Sequence, residues 1–255
     1  MTAEQNPLTP APVHLGQHSS NLSTPARALA IGAHPDDVDF GCGGTLAKWA
    51  AAGCEVSALV CTDGSKGTWD PDADEALLIS TRQTEQRVAL RALGATGEVV
   101  FLGRPDGELD STLLERAQVA LWIRRLKPDV VLGHDPWKRY RLHPDHRNAG
   151  WLTTDGVVAA RDPKFFPDQN EPHHRPDTVL LWEADEADHA EDVTGFADAK
   201  YAALTSHTSQ FESTMHATTD HEMVAFRGRL EDKLSVAGAA AGMTHAEIFK
   251  LLDDL

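Results

Sequence analysis

Short apolar runs closed by turn residues alternate with helix-forming stretches from residue 28 onward, and polar clusters follow the runs. That alternation predicts one α/β domain, a Rossmann-like, mostly parallel sheet with helices on both faces. The 255 residues suit one large domain, and at 41 % apolar composition they can fill a core.

Residues 28–31 (ALAI) are the first expected strand, with turn residues directly behind them. A helix-forming stretch at 45–52 stops at Gly53, and 56–61 (VSALVC) is the second strand, closed by Asp63-Gly64. Apolar positions among charges at 80–93 read as a helix ending at Gly94. Strands are expected at 99–102 and 130–132, with an amphipathic helix at 113–126 between them that Pro128 ends. Beyond Pro144 we expect a helix to about Arg161, an irregular segment at 162–177, a strand at 179–182, and helices at 198–211 and 221–239. Residues 1–25, rich in Pro and Ser, are expected to form a flexible arm, leaving 26–255 as the domain.

Net charge −16 argues against a nucleic-acid or anionic-membrane partner, because like charges repel. No apolar run approaches the ~20 residues that span a bilayer. Three cysteines, Cys42, Cys54 and Cys61, make no disulfide framework; they read as small core fillers in a reducing, cytoplasmic setting. No secretory signal pattern is expected at the N-terminus.

Ligands of open parallel sheets sit outside the carboxyl ends of the strands. There the chain places His34-Pro35-Asp36-Asp37 after the first strand, and His143-Pro144-Asp145-His146 a little beyond the fourth. Residues at i and i+3 share one side of a turn, so His34/Asp37 and His143/His146 can each offer a pair of groups to one point. Two histidines and a carboxylate make a three-ligand catalytic metal site of the zinc type, with Fe²⁺ a possible occupant of the same donors. Such a charge lowers the pKa of water toward ~7. Asp36, beside a ligand but directed elsewhere, is placed to take the water's proton. The competing reading is of loop residues capping helices.

The segments AHPDDVDFGCGGTL (33–46) and HPDHRNAG (143–150) resemble the PIG-L/LmbE-like family of zinc-dependent N-acetylglucosaminyl deacetylases. Supporting matches are TDG at 62–64, RxxE at 82–85, PDG at 105–107, KPDVVLGHDP at 127–136 and KxxALxxHxSQ at 200–210. The resemblance implies His34, Asp37 and His146 as metal ligands and Asp36 as general base. It implies that protonated His143 polarises the substrate carbonyl and helps the amine leave, with Asp145 fixing its orientation. Arg82 would face substrate. Asp106, by its place at a strand end, either touches sugar hydroxyls or is a plain turn aspartate. The chain departs from the family pattern in placing Val38 directly after HPDD, with Asp39 next, and Leu142 directly before HPDH, with Tyr140 the nearest tyrosine.

The expected activity is therefore hydrolysis of an N-acetyl amino-sugar conjugate to acetate and free amine by a metal-activated water. The partner would be that small molecule, and relatives often form homo-oligomers. An amidase acting on a glucosamine-containing thiol conjugate is the nearest alternative, and a nucleotide-binding Rossmann module a more distant one. Against the latter, Gly41, Gly43 and Gly44 lack GxGxxG spacing and read as close-packing glycines. Trp69 and Trp137 flank the expected mouth, where they either stack on a sugar or pack at the rim. His207 and Gln210 are either site residues or solvated helix residues, and His173, His174, His216 and His221 read as surface histidines.

Overall fold

Strand β2 (Arg27–Gly32) and strand β5 (Val130–His134) run side by side at the centre of the sheet, parallel and in register from Ala28↔Val130 to Ile31↔Gly133. The computed structural model describes Leu8 and residues 15–255. From β2 the chain steps outward through helix α1 (Asp37–Ala51), β3 (Glu55–Thr62), α2 (Glu75–Ala92) and β4 (Val99–Arg104). Helix α3 (Leu113–Leu126) then carries it back to β5 on the other side of β2, and α4 (Pro144–Arg161) leads to β6 (Thr178–Trp182). The order of strands therefore reverses between β2 and β5, and a crevice opens beyond their carboxyl ends.

Strand residues alternate between two cores because successive side chains leave opposite faces of a pleated strand. Ala28 and Ala30 face Leu46, Trp49 and Leu90 of α1 and α2, while Leu29 and Ile31 face Val119, Ile123, Leu152 and Val157 of α3 and α4. The expected two-faced parallel sheet is what forms, and the three cysteines are free and buried, as their apolar context predicts.

Three strands were not foreseen. Strand β8 (Ala246–Leu252) runs antiparallel to both β6 and β7 (His189–Asp192), and β1 (Ser19–Ser20) adds a short parallel edge to β7. The first part of the expected arm, residues 1–7 and 9–14, lies outside the described residues. Ser19 and Ser20, expected in the arm, instead pair with β7, and the chain just beyond them is held where Leu22 N donates to buried Glu191 Oε1 at 2.8 Å.

The helix expected over 198–211 is instead the shorter α5 (Ala197–Leu204) followed by a 3₁₀ turn at Thr208–Gln210. The turn is pulled onto α2, where Glu85 accepts from Ser209 N, Ser209 Oγ and Thr208 Oγ1 at 2.6–2.8 Å. The last helix, α6 (Asp220–Ala241), opens with a capping box between Thr219 and Glu222. Among the described residues no helix is long and apolar enough to cross a membrane.

Candidate metal centre

The turn after β2 is shaped by its own carboxylate. His34 N–H donates to Asp37 Oδ2 at 2.7 Å, which fixes both potential ligands on one side of the turn. Asp36 sits between them at φ 100°, a left-handed conformation that a residue with a Cβ adopts only under strain of about 1–3 kcal/mol. Across the crevice, Pro144 starts α4 and carries His146 in its first turn.

Three residues bring donor atoms together at this point. His34 Nδ1 is 3.2 Å from His146 Nε2 and 3.4 Å from Asp37 Oδ2, and His146 Nε2 is 3.3 Å from Asp37 Oδ1. A tetrahedral ion with bonds of roughly 2.0–2.1 Å needs donor separations of about 3.3–3.4 Å, so the set fits a zinc-sized divalent cation. His34 is prepared for that task by its far nitrogen. Its Nε2 faces Asp145 Oδ2 at 3.1 Å and Asp106 Oδ1 at 3.2 Å. Carboxylates only accept, so a proton lies on Nε2, which is the tautomer that would let Nδ1 ligate an ion.

Two of the expected site residues have further partners. Asp145 meets His143 through its backbone N–H, which donates to Nδ1 at 3.3 Å. Its oxygens accept from His34 Nε2 and from Gly107 N and Leu109 N at 2.7 and 3.2 Å, because α4 begins directly against the loop after β4. Asp106 lines the cavity but its Oδ1 is engaged by His34, and burial, which opposes its charge, is outweighed by that contact, so its carboxyl is lowered to about 2.

Arg82 lies at the cavity, where the resemblance set it toward substrate. It is 3 % exposed and donates to Gly64 O at 2.9 Å, Pro35 O at 2.7 Å and Asp36 Oδ2 at 3.4 Å. Its guanidinium thus borders the cavity while being committed to the chain, and it acts on Asp36 directly. Burial pushes the Asp36 carboxyl up to about 6 against the opposing pull of Arg82. Asp37 goes the other way: burial raises it, but His146 and His134 outweigh burial and hold it well below the carboxylate range. Two adjacent aspartates are thereby driven apart, one toward a proton carrier and one toward a permanent anion.

His143 stacks on His146 with ring centroids 4.7 Å apart and meets His34 edge-on at 4.6 Å. Burial and then the neighbouring His34 lower its pKa, which favours the neutral ring. Its Nδ1 accepts from Asp145 N at 3.3 Å, which leaves the proton on Nε2 as a donor.

The sequence reading gave no role to His134 and did not single out Arg141. Trp182 Nε1 donates to His134 Nδ1 at 3.0 Å, so the His134 proton lies on Nε2, 3.2 Å from Asp37 Oδ2. His134 thus braces the carboxylate of Asp37. Arg141, paired with Glu183 at 2.6 Å, sets Nη1 3.2 Å from His146 Nδ1 and 3.3 Å from His134 Nδ1. The available signal was the position of His134 as the last residue of a wholly buried strand, at the sheet's functional edge.

A cavity of about 510 Å³ opens over these groups, with Trp69, Lys66, Leu142, Tyr140 and His216 around it. Trp137 is not part of that lining; it packs edge-on against Trp151 at 5.1 Å. Gln210 borders the cavity and His207 lies fully buried, so neither is a solvated helix residue. Gly41, Gly43 and Gly44 pack closely as expected: a Cβ on Gly41 would meet the Trp182 ring at 2.5 Å, and one on Gly44 would meet Val193 at 3.0 Å.

Sequence comparison agrees with this geometry. The family profile described as PIG-L, GlcNAc-PI de-N-acetylase, matches residues 29–157. The chain belongs to the PIG-L family. It shares the deacetylase class of that family and is 33 % identical over 189 residues to a diacetylchitobiose deacetylase of Thermococcus kodakarensis, covering 72 % of this chain and 70 % of the relative. A 1D-myo-inositol 2-acetamido-2-deoxy-alpha-D-glucopyranoside deacetylase of Streptomyces scabiei is 30 % identical over 250 residues, covering 73 % and 76 %. Among solved structures, N,N'-diacetylchitobiose deacetylase from Pyrococcus horikoshii, complexed with an inhibitor, superposes with a TM-score of 0.81 at 28 % identity, covering 90 % of this PIG-L chain and 84 % of that one.

Proposed function

We propose that this PIG-L family member is a metal-dependent N-deacetylase that hydrolyses the acetamide of an N-acetylglucosamine-type conjugate to acetate and a free amine. The observation that carries the reading is the triangle of His34 Nδ1, Asp37 and His146 Nε2, with sides of 3.2–3.4 Å, beside an aspartate whose carboxyl sits near 6. The named activities of the Thermococcus and Streptomyces relatives support the substrate class, since both act on acetylated glucosamine units.

In this reading His34, Asp37 and His146 hold the ion, which we assign as zinc, with Fe²⁺ the alternative the same donors accept. When bound, such an ion supplies Lewis acidity at the acetyl carbonyl and makes water a competent nucleophile near neutral pH. Asp36 removes a proton from the attacking water as its oxygen forms the new bond to the carbonyl carbon. His143, neutral and carrying its proton on Nε2, donates a hydrogen bond to the carbonyl oxygen as charge develops there. Asp36 then returns the proton to the amide nitrogen as the C–N bond breaks, so that one water divides between acetate and amine. Trp69 and Tyr140 flank the entrance at which the rest of the conjugate would lie.

The nucleotide-binding alternative has no support from the glycines, which pack closely against Trp182, Lys200 and Val193. The test is an acetate-release screen over N-acetylglucosaminides of varied aglycone, run with elemental analysis. Activity should disappear on chelation and return with zinc. Undiminished acetate release from protein shown to be metal-free would overturn the proposal, and release of a larger acyl group in place of acetate would favour the amidase alternative.

A further inference from the structure

Asp39 and His207 form a buried hydrogen-bonded pair that the reaction above does not use. Asp39, in the first turn of α1, is fully buried, and its Oδ2 accepts from His207 Nε2 at 3.0 Å and from Gln86 Nε2 at 2.8 Å. A carboxylate can only accept, so Asp39 fixes which end of the Gln86 amide faces it. The carbonyl end of Gln86 is thereby turned to Asp36, whose N–H donates to Oε1 at 2.7 Å. Asp36 is the residue of this turn held at φ 100°. One turn earlier on α2, Arg82 grips the same residue from its other side, through Pro35 O and Asp36 Oδ2.

We propose that His207, Asp39 and Gln86 form a buried positioning chain that clamps the Asp36 peptide in its left-handed conformation and so aims the Asp36 carboxylate at the cavity. Gln86 makes the decisive contact, Asp39 sets its amide orientation, and His207 holds Asp39. The chain gathers three distant parts of the sequence, α1, α2 and the turn after α5, onto one backbone N–H. The inference rests on the reading of Asp36 as the base. The metal-binding turn has its own brace, from His34 N–H to Asp37 Oδ2, so loosening Asp36 leaves the ligands in place.

The experiment compares Gln86→Met, which preserves length and removes the acceptor, with Asp36→Gly and the double variant. Asp36→Gly tolerates the left-handed backbone and lacks the carboxylate. In Gln86→Met, kcat should fall by roughly 30–100-fold, the scale of a misplaced catalytic group, with KM within about threefold. One metal per chain should be retained, and hydrogen exchange at the Asp36 amide should accelerate. In the Asp36→Gly background the same change should have no further effect on residual turnover. A merely structural role predicts equal losses in both backgrounds, and that result, or unchanged exchange at Asp36, overturns the proposal. Should Gln86→Met fail to fold, Asp39→Asn takes its place: it frees the amide to flip, and kcat should fall by about 5–10-fold at constant KM, on the lower part of the same scale. If instead the unmodified protein releases no acetate while Gln86→Met still accelerates Asp36 exchange, the functional reading fails and the clamp stands.

Discussion

Two buried carboxylates flank the same helix and have opposite fates. Glu247, from β8, lies against the second half of α1, where the helix breaks at Cys42 and restarts. Its oxygens accept from Gly44 N at 2.9 Å, Thr45 N at 2.8 Å and Lys200 Nζ at 2.5 Å. Asp36, at the N-terminus of the first half, is equally buried, yet its carboxylate has one long contact, to Arg82 at 3.4 Å. Glu247 is saturated with donors and serves as a splice in the helix. Asp36 is deprived of them, and burial then favours its protonated form enough to bring its pKa to about 6. Burial alone does not set a carboxyl near neutrality; burial with donors withheld does.

The sharpest way to break that contrast is at the metal centre. His146→Ala should remove both bound metal and turnover. Asp36→Asn should retain one metal per chain and lose about 10²–10⁴-fold in kcat, the usual worth of a general acid–base group. Elemental analysis alongside acetate release separates the two, and metal loss in Asp36→Asn would show that the adjacent carboxylates are not independent.

The helix splice gives the next largest effect, on stability. Lys200→Met leaves Glu247 as a buried charge with only peptide donors, and removal of one member of a buried pair costs roughly 3–5 kcal/mol. Denaturant unfolding should show that loss, while the same measurement on Asp36→Asn should show little or a gain. Gly41→Ala tests the boundary between the two regions. Its Cβ would strike the Trp182 ring, and overpacking of this kind costs about 1–3 kcal/mol. Because Trp182 also holds His134 against Asp37, weaker metal retention should accompany the lower stability.

The contrast also explains what could be read without coordinates. The central strands were legible because burial on both faces makes them unbroken apolar runs, and the crevice followed from their order. The candidate ligands stood out because they sit in two short motifs. Glu247 and Gln86 did not, and Asp39 stood out only as the acid after Val38, since each acts through a partner 40 to 200 residues away. Strand β8 escaped notice because a short AEIFKLL segment after a helix-ending glycine carries no mark of antiparallel pairing with β6 and β7. The end of α5 was misplaced for the same kind of reason: Glu85, on another helix, captures the following turn.

A third carboxylate separates donors from burial. Glu222, at the start of α6, accepts from Thr218 N and Thr219 N at 2.9 Å and from Thr218 Oγ1 at 3.0 Å, but is open to solvent. Those hydrogen bonds lower its pKa to about 2. Its folded value lies below the unfolded value of about 4.3. The stabilisation from the capping box is therefore complete above that unfolded value and is lost as pH falls toward 2. Glu222→Ala should lower the unfolding midpoint slightly at pH 7, and its difference from the unmodified protein should vanish by about pH 2. A difference that persists there would assign the stabilisation to helix propensity and not to the charge. Compared with Glu247, the small size of the effect at Glu222 measures what the same backbone donors contribute when water competes for the carboxylate.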